Sequence, residues 1–229
     1  MDAFLLCGGY GKRLGKITKS IPKPFLRIKN KPFIQYIINN LVEARISNIY
    51  LLCGYKSHFF FKEFHEKKIK KTKVFCIKEQ RPLGTGGSII NANKFLKNTF
   101  LVLNGDTYFN IDLYKFIKKG IKKNCYVKMA VTLNKYYKSN NKLSNLEINK
   151  NNLLLQSQKG NLMNGGIYLI KKSSLLKISQ KKFSLEKNYI EKIIMENKVE
   201  GQYFKDNFID IGTIDNLNRI KSKPYRYLK

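Results

Sequence analysis

The sequence has no tryptophan, only two histidines and five prolines, and 15 acidic residues in a chain of 229. Both histidines, His58 and His65, fall in one basic stretch away from every glycine-rich or acidic motif. They read as surface residues without a catalytic role. The four cysteines, Cys7, Cys53, Cys76 and Cys125, share no CxxC spacing and lie in or beside apolar runs. They read as reduced packing thiols rather than a disulfide framework or a redox pair. No apolar run approaches the roughly 20 residues of a membrane-spanning helix. The segment Met1–Cys7 lacks the basic start and the length of a signal peptide. A cytoplasmic protein without membrane insertion is expected.

What the sequence has in excess is positive charge. Lysine and arginine number 45, for a net charge of +30. Only 6 of these are Arg and 39 are Lys, spread along the whole chain with Asn and Ile. Specific readers of nucleic acid lean on the bidentate Arg fork. A dispersed Lys coat reads instead as a solvated surface of biased composition, with no specific nucleic-acid partner. Such a surface still attracts small anions over long range. With 43% hydrophobic residues, the chain has ample core-forming material and is not globally disordered.

Short apolar runs alternate with helical patterns. Strands are predicted at 3–7, 48–53, 73–77, 99–103 and 126–133. Helices are predicted at 32–44, 57–68 with Ser57 as N-cap, 86–96, and 112–122 capped by Asp112. This rhythm, with continuous apolar strands, predicts an α/β fold with a doubly wound, mostly parallel sheet. It breaks near Asn134. Beyond lie a short hairpin in 142–156, a strand at 164–170, a helix at 186–197, strand-like pieces at 201–204 and 207–211, and a last helix at 213–220. No linker separates two units, so a single domain over 1–229 is expected.

In open parallel sheets, ligands bind beyond the carboxyl ends of the strands. The first such loop is Leu6-Cys7-Gly8-Gly9-Tyr10-Gly11-Lys12-Arg13-Leu14, followed by Pro22-Lys23-Pro24. Its glycines can bring backbone N–H groups close to an anion. It is not a Walker A loop, because Arg13 follows Lys12 where Ser or Thr is required. It is not a dinucleotide fingerprint, because Leu14 replaces the third glycine. Further loops carry Glu79 before Pro82-Leu83-Gly84-Thr85-Gly86-Gly87, Gly105-Asp106, and Asp210-Ile211-Gly212-Thr213. Two of the chain's 6 aspartates thus sit beside glycine at strand ends.

Taken in order, these loops resemble the signature segments of the sugar-1-phosphate nucleotidyltransferases, over nearly the whole chain. Those enzymes join an NTP to a sugar 1-phosphate and release pyrophosphate. The resemblance implies their Rossmann-like fold, with a nucleotide-binding part over 1–133 and a small sugar-binding part with a C-terminal helix over 134–229. It implies that Leu6, Gly8, Gly9, Gly11, Gly84 and Thr85 surround the nucleotide. It places Arg13 and Lys23 at the phosphates, and Asp106 and Asp210 on Mg²⁺. Phe208 stands where the family has Trp. On the sugar side it implies Lys159, Asn164, Gly165, Gly166 and Glu186, although Gln158 replaces the family's Glu. Gly84 and Gly87 are expected to allow flat rings to approach closely.

Glu79 occupies the position expected to read the base. A carboxylate only accepts hydrogen bonds, and guanine presents adjacent N1–H and N2–H₂ donors, so GTP is favoured. Within the family the pattern is most similar to the D-glycero-D-manno-heptose-1-phosphate guanylyltransferases, which make GDP-heptose for surface polysaccharides. Mannose-1-phosphate guanylyltransferases and hexose-1-phosphate thymidylyl- or uridylyltransferases stay open as alternatives, as does a homodimer. The reaction needs no protein nucleophile. The protein has to position two anions, offset their repulsion, and permit in-line attack at the α-phosphorus.

Overall fold

A computed structural model describes residues 1–134, 142–205 and 207–228. Four strands, β1 (Asp2–Leu6), β2 (Asn48–Cys53), β3 (Thr72–Lys78) and β4 (Thr99–Asn104), run parallel in the spatial order β3–β2–β1–β4. The next strand of this sheet in sequence, β5 (Val127–Leu133), does not join β4. The ten-residue β6 (Leu162–Lys171) lies antiparallel between them, and β7 (Val199–Tyr203) pairs parallel to β5. The sheet is therefore mostly parallel, as expected, with a reversed strand at its centre, β6, that the periodicity does not reveal. Because β6 comes from the second half of the chain, one sheet carries strands from both halves.

The strands are apolar throughout because both faces are covered. In β1, Ala3 and Leu5 face one core while Phe4 faces the other. The first face takes the helices α1 (Phe33–Glu43), α2 (Ser57–Phe64) and α4 (Leu113–Lys118) through Phe33, Phe60 and Phe116. The second takes α3 (Gly84–Asn91) and the π-helical segment Leu185–Ile190, which continues as α5 (Glu191–Met195). The helix α6 (Ile214–Ser222) returns to the first face through Leu217 and Ile220.

Local details revise several expectations. Asp112 does cap α4, accepting the Lys115 N–H at 2.9 Å. Ser57 does not cap α2. Lys56 holds that position at φ 52° without a side-chain bond, and Ser57 is the first helical residue. That helix stops at Phe64 because the chain turns at Glu66, φ 59°, into the edge strand Lys67–Ile69, antiparallel to β3. His65 has a structural role there: its Nδ1 accepts the Cys76 N–H at 3.1 Å. All four cysteines are free and buried. No helix of the described residues is long and apolar enough to cross a membrane.

The start of α3 is built on glycine for a packing reason. Phe183 exchanges backbone hydrogen bonds with this turn: its N–H donates to Leu83 O and its carbonyl accepts from Gly86 N–H, both at 3.0 Å. A Cβ on Gly84 or Gly87 would lie 2.5 Å from the carbonyl oxygens of Phe183 and Lys181 respectively. A Cβ on Gly86 would lie 2.1 Å from the Phe183 ring. These glycines admit another part of the chain, not the flat ring of a ligand. In an ordinary helix, Gly→Ala stabilises by roughly 0.5–1 kcal/mol. Here Gly86→Ala is expected to destabilise by about 1–3 kcal/mol, as overpacking does. Gly9→Ala, whose Cβ would meet nothing within 4 Å, should leave the thermal midpoint in place. Melting curves of the two variants check this.

Candidate active site

The loops after the parallel strands are stitched to one another by backbone bonds. Cys7 N–H donates to Leu52 O at 2.9 Å, Tyr55 N–H to Gly8 O at 3.3 Å, Glu79 N–H to Cys53 O at 2.8 Å, and Gly105 N–H to Leu6 O at 3.1 Å. This edge is a fixed floor. Close contacts hold it there: a Cβ on Gly8 would lie 2.8 Å from Glu79 Oε1, and one on Gly54 would lie 2.9 Å from Gly8 O. The segment 12–19 forms 3₁₀ turns tied down by Thr18, whose hydroxyl bonds Gly11 O at 3.1 Å and Gly15 O at 3.3 Å.

Two chambers open on this floor, each of about 340 Å³. The first is lined by Leu6, Cys7, Gly8, Gly9, Tyr10, Gly11, Lys23, Glu79, Gly84 and Thr85. The second is lined by Arg13, Thr107, Met163, Asn164, Gly166, Lys187, Phe208 and Asp210. Asn104, Asp106 and Glu186 belong to both and form the boundary. The residues expected around a nucleotide thus share one chamber, and most of those expected on the sugar side share the other.

Two predicted residues lie elsewhere. Lys159 is exposed in a turn closed by the Gly160 N–H on Ser157 O at 3.0 Å and lines neither chamber. Gly165 is buried at the irregularity in β6, where a Cβ would lie 2.6 Å from the Phe109 ring. Residues without a sequence signal also enter the site: Lys187 and Asn104 by wall position, and Cys7 and Tyr10 from inside the glycine loop.

The two aspartates meet through a short antiparallel ladder. Thr107–Phe109 pairs with Phe208–Asp210, with Thr107 opposite Asp210, and the Ile211 N–H donates to Asp106 O at 3.0 Å. Asp106 is ion-paired with the buried Lys23 and accepts the Thr107 hydroxyl at 3.3 Å. Burial opposes its ionisation, yet the Lys23 ammonium outweighs that and holds the carboxyl below the usual range. Asp210 Oδ1 accepts the Gly212 N–H at 2.7 Å, and Oδ2 accepts from Asn216 Nδ2 at 3.3 Å. Burial nevertheless pushes its carboxyl up, and the charge of Asp106 adds to this. Arg13 comes alongside because Gly212 has no side chain; a Cβ there would lie 2.7 Å from Arg13 Nη2.

Glu79 is held at both oxygens. Oε1 accepts the Ser88 hydroxyl at 2.6 Å and Oε2 the Leu83 N–H at 3.2 Å. Each oxygen keeps a further lone pair for a donor in the first chamber.

A parallel sheet whose strand ends carry a glycine-rich anion loop, a cation-flanked aspartate pair and two adjoining chambers defines an enzyme that handles two phosphorylated substrates together. The nucleotidyl transferase family profile matches residues 2–225, and the chain belongs to that family. It is 38% identical to the D-glycero-alpha-D-manno-heptose 1-phosphate guanylyltransferase of Campylobacter jejuni, over 93% of this chain and 95% of that one. It is 30% identical to the enzyme of the same name from Aneurinibacillus thermoaerophilus, over 100% of both chains. Among solved structures, HddC from Yersinia pseudotuberculosis complexed with GMP-PN superposes with a TM-score of 0.79 at 28% identity, covering 97% of this chain and 98% of that one.

The Lys23–Asp106 pair generates a pH-dependent prediction. In the wild type the depressed Asp106 carboxyl contributes stability above its unfolded value of about 3.9, and that stability is lost as pH falls through the folded value. In Lys23→Met, burial acts unopposed, so the carboxylate costs stability at neutral pH and the cost is relieved by protonation. The variant should be less stable than wild type by about 1–3 kcal/mol at pH 8. The gap should narrow as pH falls towards 4, read from urea midpoints.

Proposed function

We propose that this nucleotidyltransferase transfers GMP from GTP to a sugar 1-phosphate, D-glycero-α-D-manno-heptose 1-phosphate, with release of pyrophosphate. The observation that carries this reading is the meeting of two chambers at Asp106. The first holds the glycine loop and Glu79, and the second holds polar groups suited to hydroxyls. The two heptose 1-phosphate guanylyltransferases that the chain resembles support the base and the sugar, and the GMP-PN complex of the solved neighbour supports the base.

The guanine faces Glu79, which accepts from N1–H and N2–H₂. The triphosphate runs over the N–H groups of Gly8–Gly11 towards Lys23. The sugar phosphate enters the second chamber, where Arg13 and Lys187 are the lining cations. Both reacting groups are anions, so the work is positioning and charge neutralisation, which needs no covalent intermediate. The incoming phosphate is mostly dianionic at neutral pH and is itself the nucleophile. Asp106 and Asp210 fit a divalent cation. They are neighbours, both are half-buried, and the Asp210 carboxyl is pushed up by burial and further by the charge of Asp106, which a cation would relieve. Mg²⁺ takes one or two carboxylates together with phosphate oxygens. When bound it supplies Lewis-acid neutralisation of phosphate charge.

Two tests follow. Asp106→Asn and Asp210→Asn should each lose at least about 100-fold in turnover while keeping wild-type circular dichroism, and EDTA should abolish the wild-type activity until Mg²⁺ is restored. This scale matches removal of a group that stabilises transition-state charge. Full activity in EDTA would remove the metal from the reading.

The second test is a pyrophosphate-release assay with four NTPs, in which GTP should be preferred. Glu79→Gln should lose roughly 10- to 100-fold with GTP, the cost of leaving a buried donor unpaired. Preference of the wild type for UTP or dTTP would overturn the assignment of Glu79.

A further inference from the structure

Thr85 belongs to the loop that lines the nucleotide chamber, yet its hydroxyl is engaged with the other side. It donates to Glu186 Oε2 at 2.6 Å and accepts the Leu185 N–H at 2.8 Å. A hydroxyl has one proton and two lone pairs. The proton is committed to Glu186 and one lone pair to Leu185. Thr85 therefore has no donor left for a phosphate or ribose oxygen unless it gives up Glu186. Ser184 Oγ supplies a second donor to the same carboxylate oxygen at 3.0 Å.

Glu186 is the hub of a network spanning the boundary. It faces the hydroxyl of the buried Tyr168, which accepts from Asn164 Nδ2 at 2.6 Å. Asn164 Oδ1 in turn accepts the Gly166 N–H at 2.8 Å. The sugar-side residues Asn164, Gly166 and Glu186 are thus linked to each other and, through Thr85, to the nucleotide loop. The backbone exchange between Phe183 and the start of α3 holds the two segments in this register.

We propose that Thr85 is a positioning residue: its hydroxyl, supplied from the start of α3, orients the Glu186 carboxylate to accept from the hydroxyls of the sugar phosphate. The proposal rests on the second chamber receiving the sugar phosphate. It revises the expectation that Thr85 contacts the nucleotide.

The test separates Michaelis constants in the full-length enzyme, with GTP and D-glycero-α-D-manno-heptose 1-phosphate as substrates. Thr85→Val removes the donor at nearly constant volume. It should raise KM for the sugar phosphate at least 10-fold and KM for GTP less than 2-fold. Thr85→Ser should restore the sugar KM to within about 3-fold of wild type, which general loosening of the fold would not produce. Should Thr85→Val fail to fold, Thr85→Ala takes its place, since the smaller side chain lets water bond the Leu185 N–H. An equal or larger rise in KM for GTP, or no change in either constant, overturns the proposal.

Glu186→Gln distinguishes the levels of failure. If it raises the sugar KM while the Thr85 variants do not, the chamber assignment stands and the positioning role falls. If it leaves the sugar KM unchanged, both fall.

Discussion

Like charge at close quarters organises this active site. The ladder between Thr107–Phe109 and Phe208–Asp210 brings two carboxylates together in a partly desolvated place. Repulsion in such surroundings is far stronger than in water. The chain answers with cations delivered from its first 25 residues. Pro22 and Pro24 set the extended entry and the turn that bury Lys23 against Asp106. Arg13, at the start of the 3₁₀ segment, lies against Gly212 and from there acts on the charge of Asp210 through space. The loop after β1 must therefore sit beside the ends of both acidic segments. The backbone bonds from Cys7, Tyr55 and Gly105 are what keep it there. The same balance suits the reaction, because phosphate oxygens and a divalent cation arrive as compensating charges at a site whose own charges are already opposed.

The glycines divide by what occupies the missing side chain. At Gly84, Gly86 and Gly87 the space is filled by Phe183 and Lys181, and at Gly165 by the Phe109 ring. At Gly9 it is open, and Gly11 adopts φ 65°, where a side chain is strained. Gly9 is open to a bound anion, while Gly11 serves the loop through its left-handed backbone, with Thr18 filling the space a Cβ would take. A motif of similar composition thus does two jobs in one chain. The segment after β3 locks two parts of the protein together, and the segment after β1 is left for ligand.

This division explains what was legible in the sequence. The strands from Asp2 to Leu133 were readable because burial on both faces leaves runs such as Asn48–Cys53 without alternation. The position of β6 between β4 and β5 was not, since strand order depends on which edges pair at long range and leaves no trace in periodicity. The first chamber was readable because its walls are contiguous motifs. The second draws Asn104, Lys187 and Asp210 from segments far apart in sequence, and a lone lysine among 39 carries no signal of its own. Lys159 shows the converse. A motif position was assigned to the site, while Gly160 packs against Asn145 and Leu146 and turns the lysine into solvent.

The +30 charge can be placed by the same reasoning. Lys67–Glu63 and Lys115–Asp112 are exposed ion pairs, in which solvent screening offsets most of the attraction, so such lysines contribute little to folding. At physiological ionic strength, charges more than about 8 Å apart in solvent are largely screened. Most surface lysines therefore act on a substrate only during its approach. Lys23 differs because it is buried in the first chamber, where a cation acts with less screening on an oxygen a few ångströms away. Arg13 and Lys187 are exposed and differ from the rest of the coat by their place on the wall of the second chamber. The coat raises the rate at which anions arrive, whereas selectivity among anions has to come from the few groups inside, which in the proposed reaction are the cations beside the phosphates, Glu79 at the base and Glu186 at the sugar.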